Sequence, residues 1–548
     1  MSDDNSFNLV DEPWIMARDA TGTVHELSIR QLLHQSSALT EIVGDLPTQA
    51  FALTRLLLAI LHRATDGPRT EQDWADLWVA EQLPLSQIDG YLDRVHDRFD
   101  LLHPSEPFYQ VANLHTAKNE SFGLERLIAD APTGRPYLTL RLSSSYEEIG
   151  FAEAARWLVH CQAFDPSGIK SGAVGDPRVK GGKGYPIGVG WAGAIGGVLP
   201  VGANLRETLL LNLVAADYDA ELDVDRDLPP WERPQLTECE ERSERNPRGP
   251  VDLLTWQARR IRLFHDGGQV TGVLVCNGDR LTPQNRHRWE RMTAWRRSQN
   301  QEKQLKLPHV YMPRLHDPDR SLWRGLESLL PARTGSARNG DPIVAPTVLD
   351  WISRLQWNER LPASMQLRVR AIGMEYINQN AMVGDVIDDA LTMDAGLMST
   401  KHPELGAQVV GAVAAIDQGV RALADLAGNL AIAGGGERAA AQDSARAYGY
   451  ASLDQPFRSW LAGLNPTDTS PQDARASLDR SAVGVLTRLS GELIDSAGPS
   501  AWVGRQVGKH TFSIATAEQW YRRKLREAFP TVFKRPTELT SQGATTDD

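Results

Sequence analysis

Apolar residues recur at helical spacing after Pro47, where Phe51, Leu53, Leu56, Leu57, Ile60 and Leu61 predict a strong helix opened by the proline. Trp74, Leu77 and Trp78 mark a second amphipathic helix. Earlier in the chain the texture is strand-like. Phe7 to Ile15 is short and apolar around Pro13, and Val24 to Leu27 can pair with it after a turn at Asp19 to Gly22. Leu138, Leu140 and Leu142 alternate with Thr139 and Arg141, the period of a half-buried strand. After about residue 365 alanine-rich helices take over. Val409, Val413, Ile416, Val420, Leu423, Ala427 and Leu430 step by four and three, as in a bundle seam. Leu478, Ala482, Val485 and Leu489 repeat the step, as do Ile514, Ala517, Tyr521, Leu525 and Ala528. Gly434 to Gly436 and Asn465 to Pro471 break helices between these runs. A further helix is expected around Val383 to Leu391, after a strand over Leu367 to Ala371. The pattern gives an α+β chain: a large mixed α/β N-terminal domain over 1–365, a C-terminal four-helix bundle over 366–530, and a polar tail over 531–548 expected to be disordered.

At 548 residues the chain exceeds a single hydrophobic core, and 41% hydrophobic with 23% charged residues is ordinary globular composition. The formal charge is −12, which argues against strong autonomous binding to nucleic acid. It does not exclude a subunit that meets DNA through one patch while partners supply most of the affinity; local charge decides that better than the total. The three cysteines, Cys161, Cys239 and Cys276, lie far apart without a CxxC pair, so neither a disulfide framework nor a zinc site is expected. The first residues are acidic where a signal peptide is basic, and no run approaches the ~18 apolar residues of a membrane span. A soluble, cytoplasmic protein with no membrane partner is the expectation.

Charge is concentrated locally against that acidic average. Gly168 to Gly184 holds six glycines, four basic side chains and one acid in seventeen residues. Glycine lets backbone N–H groups approach an anion without a Cβ in the way, so nucleic-acid phosphates or a nucleotide are the candidate ligands. Arg286 to Lys306 carries seven basic residues and two acids interleaved with Trp289 and Trp295. That mixture suits a phosphate backbone with stacking, or a solvated helix face. Asp217 to Arg245 has the opposite sign, eleven acids against four bases with three prolines, and is expected to be an exposed loop. Its alternating carboxylates lack the glycine and glutamate of an EF-hand frame.

Motifs for catalysis do not assemble. Gly188-Val189-Gly190-Trp191-Ala192-Gly193 matches GxGxxG, but Pro186 and Pro200 flank it where a strand and a helix are required. HExxH, GxSxG and a Walker lysine motif are missing from the sequence. His265-Asp266 and His316-Asp317 sit beside turn residues without a second histidine cluster. His160 and Cys161 are sequence neighbours, which do not face each other on a helix, so a buried cysteine is expected. No catalytic residue, cofactor or metal is assigned.

Several fragments, in order, resemble the large subunit (CasA family) of the type I-E CRISPR Cascade surveillance complex. They are Phe7-Asn8-Leu9-Val10-Asp11-Glu12-Pro13-Trp14-Ile15, His103 to Gln110, Leu127-Ile128-Ala129, Gly168 to Gly172, Thr255 to Ile261, Tyr376 to Ala381 and Glu518 to Arg523. None is a mechanistic motif alone; the ordered combination is specific and spans most of the chain.

The resemblance implies a non-enzymatic DNA reader with an N-terminal α/β domain and a C-terminal four-helix bundle. Such subunits recognise the protospacer-adjacent motif of double-stranded target DNA from the minor groove and help open the duplex. Guide RNA held by other Cascade subunits then pairs with the target strand, and a helicase-nuclease is recruited. By position, the family's glycine loop falls on Ser167, Gly168 and Lys170, and its duplex wedge on Asn378 and Gln379, on the turn between the Leu367 to Ala371 strand and the next helix. Arg178, Lys180, Lys183, Arg296, Arg297, Lys303 and Lys306 are candidates for DNA-backbone or displaced-strand contacts, with Lys303 or Lys306 as a lysine finger. The family's first loop falls on Gly134 to Arg141. Its Arg135 and Arg141 do not reproduce the aromatic-asparagine pattern, which leaves the motif preference open. Some relatives carry a paired-cysteine element where this chain has only Cys276, so no metal is expected. Two alternatives stand beside this reading: an RNA-protein scaffold that reads no DNA motif, and a nucleotide-dependent enzyme using the glycine loop as a phosphate cradle.

Overall fold

Two short antiparallel strands, β1 (Ile15–Asp19) and β2 (Val24–Leu27), open the fold around a turn in which the Asp19 carboxylate accepts the Thr21 and Thr23 amides. Of the expected partner segment Phe7 to Ile15 only Ile15 enters the pair; the strand runs on from it to Asp19, beyond Pro13, which cannot donate to a ladder. β3 (Leu39–Ile42) pairs with β1 on its other edge. The computed structural model describes residues 6–131, 141–142, 146–219, 222–241, 245–331, 343–362, 364–399 and 401–533. Contacts divide the chain into two compact units, Met1–Leu322 with Ser328–Leu361 and Leu367–Ala390, and Trp323–Glu327 with Pro362–Gln366 and Leu391–Asp548.

In the first unit, α1 (Pro47–Ala64) starts with proline at its first turn, where a missing N–H costs nothing. It is buried on nearly every side, so it reads as hydrophobic beyond a single stripe. Its buried arginine is paired internally: Arg55 makes two bonds of 3.0 and 2.9 Å to Glu290, both side chains being almost fully buried. α2 (Glu71–Val79) stacks Trp74 on Trp78. α3 (Phe151–Phe164) packs against α1, bringing Phe164 to 6.4 Å from Phe51 and His160 Nε2 to 3.0 Å from Thr48 Oγ1.

β4 (Lys170–Ser171) and β5 (Lys183–Gly184) form a small antiparallel pair. β6 (Gly197–Val201) follows, then the antiparallel hairpin of β7 (Arg259–Asp266) and β8 (Gln269–Asn277). β4 joins β8 in parallel at Ser171 and Cys276. β9 (Trp295–Arg297) leads into α4 (Gln299–Leu305). β10 (Gln366–Ile377) pairs antiparallel with β6 from Arg368↔Val201 to Ile372↔Gly197, and β11 (Met382–Asp394) is its other neighbour.

Several expectations are corrected here. Residues 383–391 are strand, not helix. Val383, Ile387 and Leu391 mimic a helical step, but β-branched residues also suit a strand, and Arg370 of β10 clasps Asp388 of β11 at 3.0 and 2.9 Å. The wedge candidates therefore sit on a strand–strand turn, and Leu367–Ala390 groups with the first unit rather than with the bundle. The described residues of the acidic Asp217 to Arg245 stretch are largely packed rather than exposed. Asp227 accepts the Val251 and Asp252 amides, Glu232 binds Arg63 and Tyr91, and Trp231 is buried. Leu138 and Leu140 lie outside the described residues; Leu142 is exposed and in no strand.

In the second unit, four long helices pack together: α5 (Pro403–Gly434), α6 (Arg438–Ala462), α7 (Pro471–Asp495) and α8 (Ile514–Ala528). The seam from Val409 to Leu430 is buried throughout, and so are Leu478, Ala482 and Leu489; Leu486 rather than Val485 completes that stripe. α5 ends on Gly435, whose φ of +85° suits glycine. Of the tail, Pro530–Phe533 is a short helix and 534–548 lies outside the described residues. No helix among the described residues is long and apolar enough to cross a membrane.

Candidate nucleic-acid interface

α3 stops at Phe164 because Asp165 precedes Pro166, and a residue before proline is pushed out of helical geometry. The Asp165 carboxylate, 8% exposed, receives Arg259 Nε at 2.5 Å and Lys170 Nζ at 2.5 Å. Burial opposes its charge, but Lys170 and Arg259 outweigh burial and hold the carboxyl below its ordinary range. The Arg259 guanidinium, buried at the start of β7, also donates to the carbonyls of Pro166 and Gly188 at 3.0 and 2.9 Å. One buried cation thus fixes both ends of the loop's base. Tyr376 of β10 ties in at the same corner, its hydroxyl donating to the Phe164 carbonyl at 2.6 Å.

β10 and β11 are joined by an exposed turn in which Asn378, Gln379 and Asn380 have φ of +51°, +59° and +64°. Asparagine visits this left-handed region readily, whereas glutamine there costs about 1–2 kcal/mol. The neighbouring loop holds the turn in place: the Ser167 N–H donates to the Asn380 carbonyl at 2.7 Å, and Ala381 N–H returns to Ile377 O at 3.1 Å. Gly168 lies against the same turn, close enough that a Cβ would stand 4.0 Å from the Ala381 carbonyl. Ser167 and Gly168 are therefore brought together with Asn378 and Gln379, although far apart in sequence. Asn378 donates to Met382 Sδ at 3.0 Å, while Gln379 is exposed and makes no side-chain hydrogen bond among the described residues.

Behind the loop and turn lies a cleft of about 530 Å³, walled by Phe122 to Ala129, the end of α3, Gly168 to Ser171, Gly182, Lys183 and Ala381 to Val383. Arg126 lies 3.5 Å over the Phe122 ring and donates to Ser171 Oγ at 3.2 Å. His160 and Cys161 also line it. Burial depresses His160 to about 3 and pushes the Cys161 thiol up, so the pair supplies neither a charged imidazole nor a thiolate.

The other candidate cations divide into committed and available groups. Lys170 is held by Asp165. Arg178 is bound by Asp176 at 2.9 and 3.0 Å, by Glu240 and by the Gly278 carbonyl. Arg297 clasps Glu302 at 2.6 and 3.1 Å. Arg141 meets Glu153 at 2.6 Å, Asp130 at 3.1 Å and Asp45 at 3.4 Å; Arg135 lies outside the described residues. Lys180 and Lys183 stand exposed beside a tight Gly181-Gly182 turn with φ of +59° and +72°, and neither forms an ion pair among the described residues. Arg296, Lys303 and Lys306 are also exposed. The stacking expected of Trp295 is not possible in this fold: it is 1% exposed and packs with Trp191, Leu253 and Trp256.

Sequence reasoning missed the residues that build the corner: Asp165, Arg259 and Tyr376. The signal was the recurrence of the last two inside quoted fragments, but their bonding is a tertiary fact. The Gly188 to Gly193 run itself enters a single 3-10 turn, Trp191–Ala194, rather than leading into a full helix, and Lys183 lies in a β-pair rather than at a helix start. Neither has the geometry of a dinucleotide or Walker cradle. Among the described residues no group of three His, Cys, Asp or Glu could hold a metal.

A family model for CRISPR-associated protein Cse1 matches residues 8–489. The CRISPR-associated protein CasA/Cse1 of Thermus thermophilus is 29% identical over 547 residues, spanning 95% of this chain and 97% of the relative. The crystal structure of Thermobifida fusca Cse1 matches with TM-score 0.89 at 45% identity, covering 96% of this chain and 99% of that one. At 19% identity the fold extends, with TM-score 0.64, to a chain of a CRISPR RNA-guided surveillance complex, covering 95% and 99%. With a match of this extent and the ordered fragments above, the chain belongs to the Cse1 (CasA) family, the large subunit of the type I-E Cascade surveillance complex.

Proposed function

We propose that this subunit is a non-catalytic reader of double-stranded DNA: it recognises the protospacer-adjacent motif from the minor groove, opens the adjoining base pairs for guide-RNA pairing and recruits the helicase-nuclease. The observation that carries the reading is the 2.7 Å bond from Ser167 N–H to the Asn380 carbonyl, which couples a bare glycine loop to an exposed carboxamide turn. A glycine loop enters a narrow groove with little side chain, and the minor groove's degenerate pattern gives permissive recognition of several motifs. Gln379 is the wedge. Its planar carboxamide stacks on a base while contacting an edge, offsetting part of the few kcal/mol that unstacking costs. Asn378 supports it, and the strained turn gives the wedge a fixed direction.

Gly168 faces the motif; Ser167, buried behind it with its hydroxyl accepting the Gly188 N–H, holds the loop, and Lys170 buttresses both through Asp165. Lys180 and Lys183 hold a phosphate backbone or the displaced strand, as do Arg296, Lys303 and Lys306. Arg178, Arg297 and Arg141 support the surrounding architecture. With a chain charge of −12, most affinity comes from the guide-RNA-containing Cascade subunits. The test is target binding and R-loop formation by the reconstituted complex across a library of flanking motifs, with and without this chain, at stated salt. Loss of motif discrimination without the chain supports the reading; unchanged discrimination rejects it and favours a scaffold.

A further inference from the structure

We propose that the cleft behind the turn is a receptacle for a single unstacked nucleobase, the one left without a partner on the displaced strand when the first base pair beside the motif opens. The proposal rests on the wedge function given above and assigns a ligand to a site separate from the wedge tip. At about 530 Å³ the cleft falls in the range of about 300–1,000 Å³ typical of small-ligand sites. Its position follows from the hairpin: Ala381 and Met382, adjoining the exposed Asn378 to Asn380 tip, form one wall. A base pushed aside by the tip meets the cleft within the same turn of chain.

The lining chemistry fits an aromatic heterocycle better than a phosphate or a peptide. The Arg126 guanidinium, laid 3.5 Å over a Phe122 ring that packs against the core cluster of Leu274 and Cys276, is a planar surface on which a base stacks, and Leu127 and the Met382 thioether add apolar, polarisable surface. The cleft's charged lining balances: Arg126, Lys170 and Lys183 oppose Glu120, Glu125 and Asp165, of which Lys170 and Asp165 neutralise each other. A neutral base suits that interior. The phosphate belongs at the rim, where Lys183 is exposed and Gly168 and Gly182 leave room for a backbone to approach. Of the two bases released by opening, the target-strand base regains a partner in the guide RNA. The displaced-strand base does not, and stacking in a protein pocket replaces part of what it lost.

The test places 2-aminopurine at the first displaced-strand position beside the motif in a target bound by the full reconstituted complex. Permanganate reactivity of nearby thymines registers opening independently. The expected result is an opened duplex in which 2-aminopurine is several-fold dimmer than in free single strand and shielded from acrylamide. Phe122→Leu, which removes the ring that holds the Arg126 plane, should restore brightness and slow R-loop formation about tenfold, the loss of one stacked base, with complex assembly unchanged. Ser171→Phe, which narrows the cleft from β4, should do the same and controls for folding at Phe122. A bright, acrylamide-accessible 2-aminopurine in a wild-type duplex that permanganate shows to be open overturns the receptacle alone. A wild-type complex that leaves the duplex closed overturns the wedge function on which it rests.

Discussion

Seven cations and two tryptophans crowd Arg286 to Lys306, while Asn378 to Ala381 carries no charge at all. In the fold much of that charge is spent inside the protein, with Arg296, Lys303 and Lys306 left exposed. Arg288 pairs with Asp219, Arg297 with Glu302, Arg291 is buried against the Val214 carbonyl, and Trp295 is core. The uncharged turn presents three consecutive left-handed residues to solvent, with the Gln379 carboxamide unbonded among the described residues. A charge run announces binding only where its partners are not already in the protein. Backbone held in a costly conformation is a better pointer, because something must over-determine it, and here Ser167 does. The glycine loop shows both behaviours within one segment: Lys170 and Arg178 are committed, Lys180 and Lys183 are not.

The comparison breaks most visibly if a committed cation proves dispensable. Asp165→Ala leaves Arg259 and Lys170 without their buried partner, and a loss of about 3–5 kcal/mol is expected in denaturant melts. A variant as stable as wild type would remove the claim that this corner is held electrostatically. The pH dependence tests a second kind of buried group, the histidines of α1 and α3. His160 and His62 are buried with values depressed to about 3, whereas the unfolded chain takes up these protons from about pH 6.5 downward. Their contribution is complete above pH 6.5 and falls as pH drops, by roughly 2 kcal/mol per histidine between pH 6.5 and 5. Asp227, raised to about 6 by burial, offsets part of this loss below pH 6. Stability that is flat from pH 7 to 5 in both wild type and His160→Phe contradicts it.

Gln379→Ala addresses the exposed turn. R-loop formation should slow about tenfold, guide-RNA assembly should persist, and stability should move by less than about 0.5 kcal/mol. Normal opening kinetics would sink the wedge. For the available cations, Lys180→Ala and Lys183→Ala should weaken duplex binding uniformly across motifs, each lowering the salt slope by about 0.9. The smallest effect is reserved for a committed cation of the basic segment: Arg288→Ala should leave DNA binding unchanged and cost no more than about 1 kcal/mol. A drop in affinity comparable to that of Lys183→Ala would show that the Asp219 pair opens to DNA.

Much of the fold was legible in sequence because it rests on periodicity. The helix at Pro47 and the bundle seam from Val409 to Leu430 obey the 3.6 repeat, and burial follows it closely. Val383 to Leu391 misled because a short run of β-branched residues fits either period, and only pairing with β10 decides between them. The acidic Asp217 to Arg245 stretch misled because its carboxylates are matched by arginines and backbone amides distant in sequence. For the candidate interface, the ordered fragments located Gly168 and Gln379 separately. Their adjacency, and the roles of Asp165, Arg259 and Tyr376 in fixing it, come from the bonds between segments.

By itself, then, the sequence determined the long periodic helices, the four-helix bundle, the family and the glycine-rich character of one loop, since these depend on local propensity, periodicity and ordered composition. The tertiary structure alone decided which cations are spent on internal acids, that the loop and the turn share one hydrogen bond, and that a cleft opens behind them. Each of those depends on distances between groups remote in the chain, and electrostatic and hydrogen-bond energies fall off too steeply for sequence order to encode them.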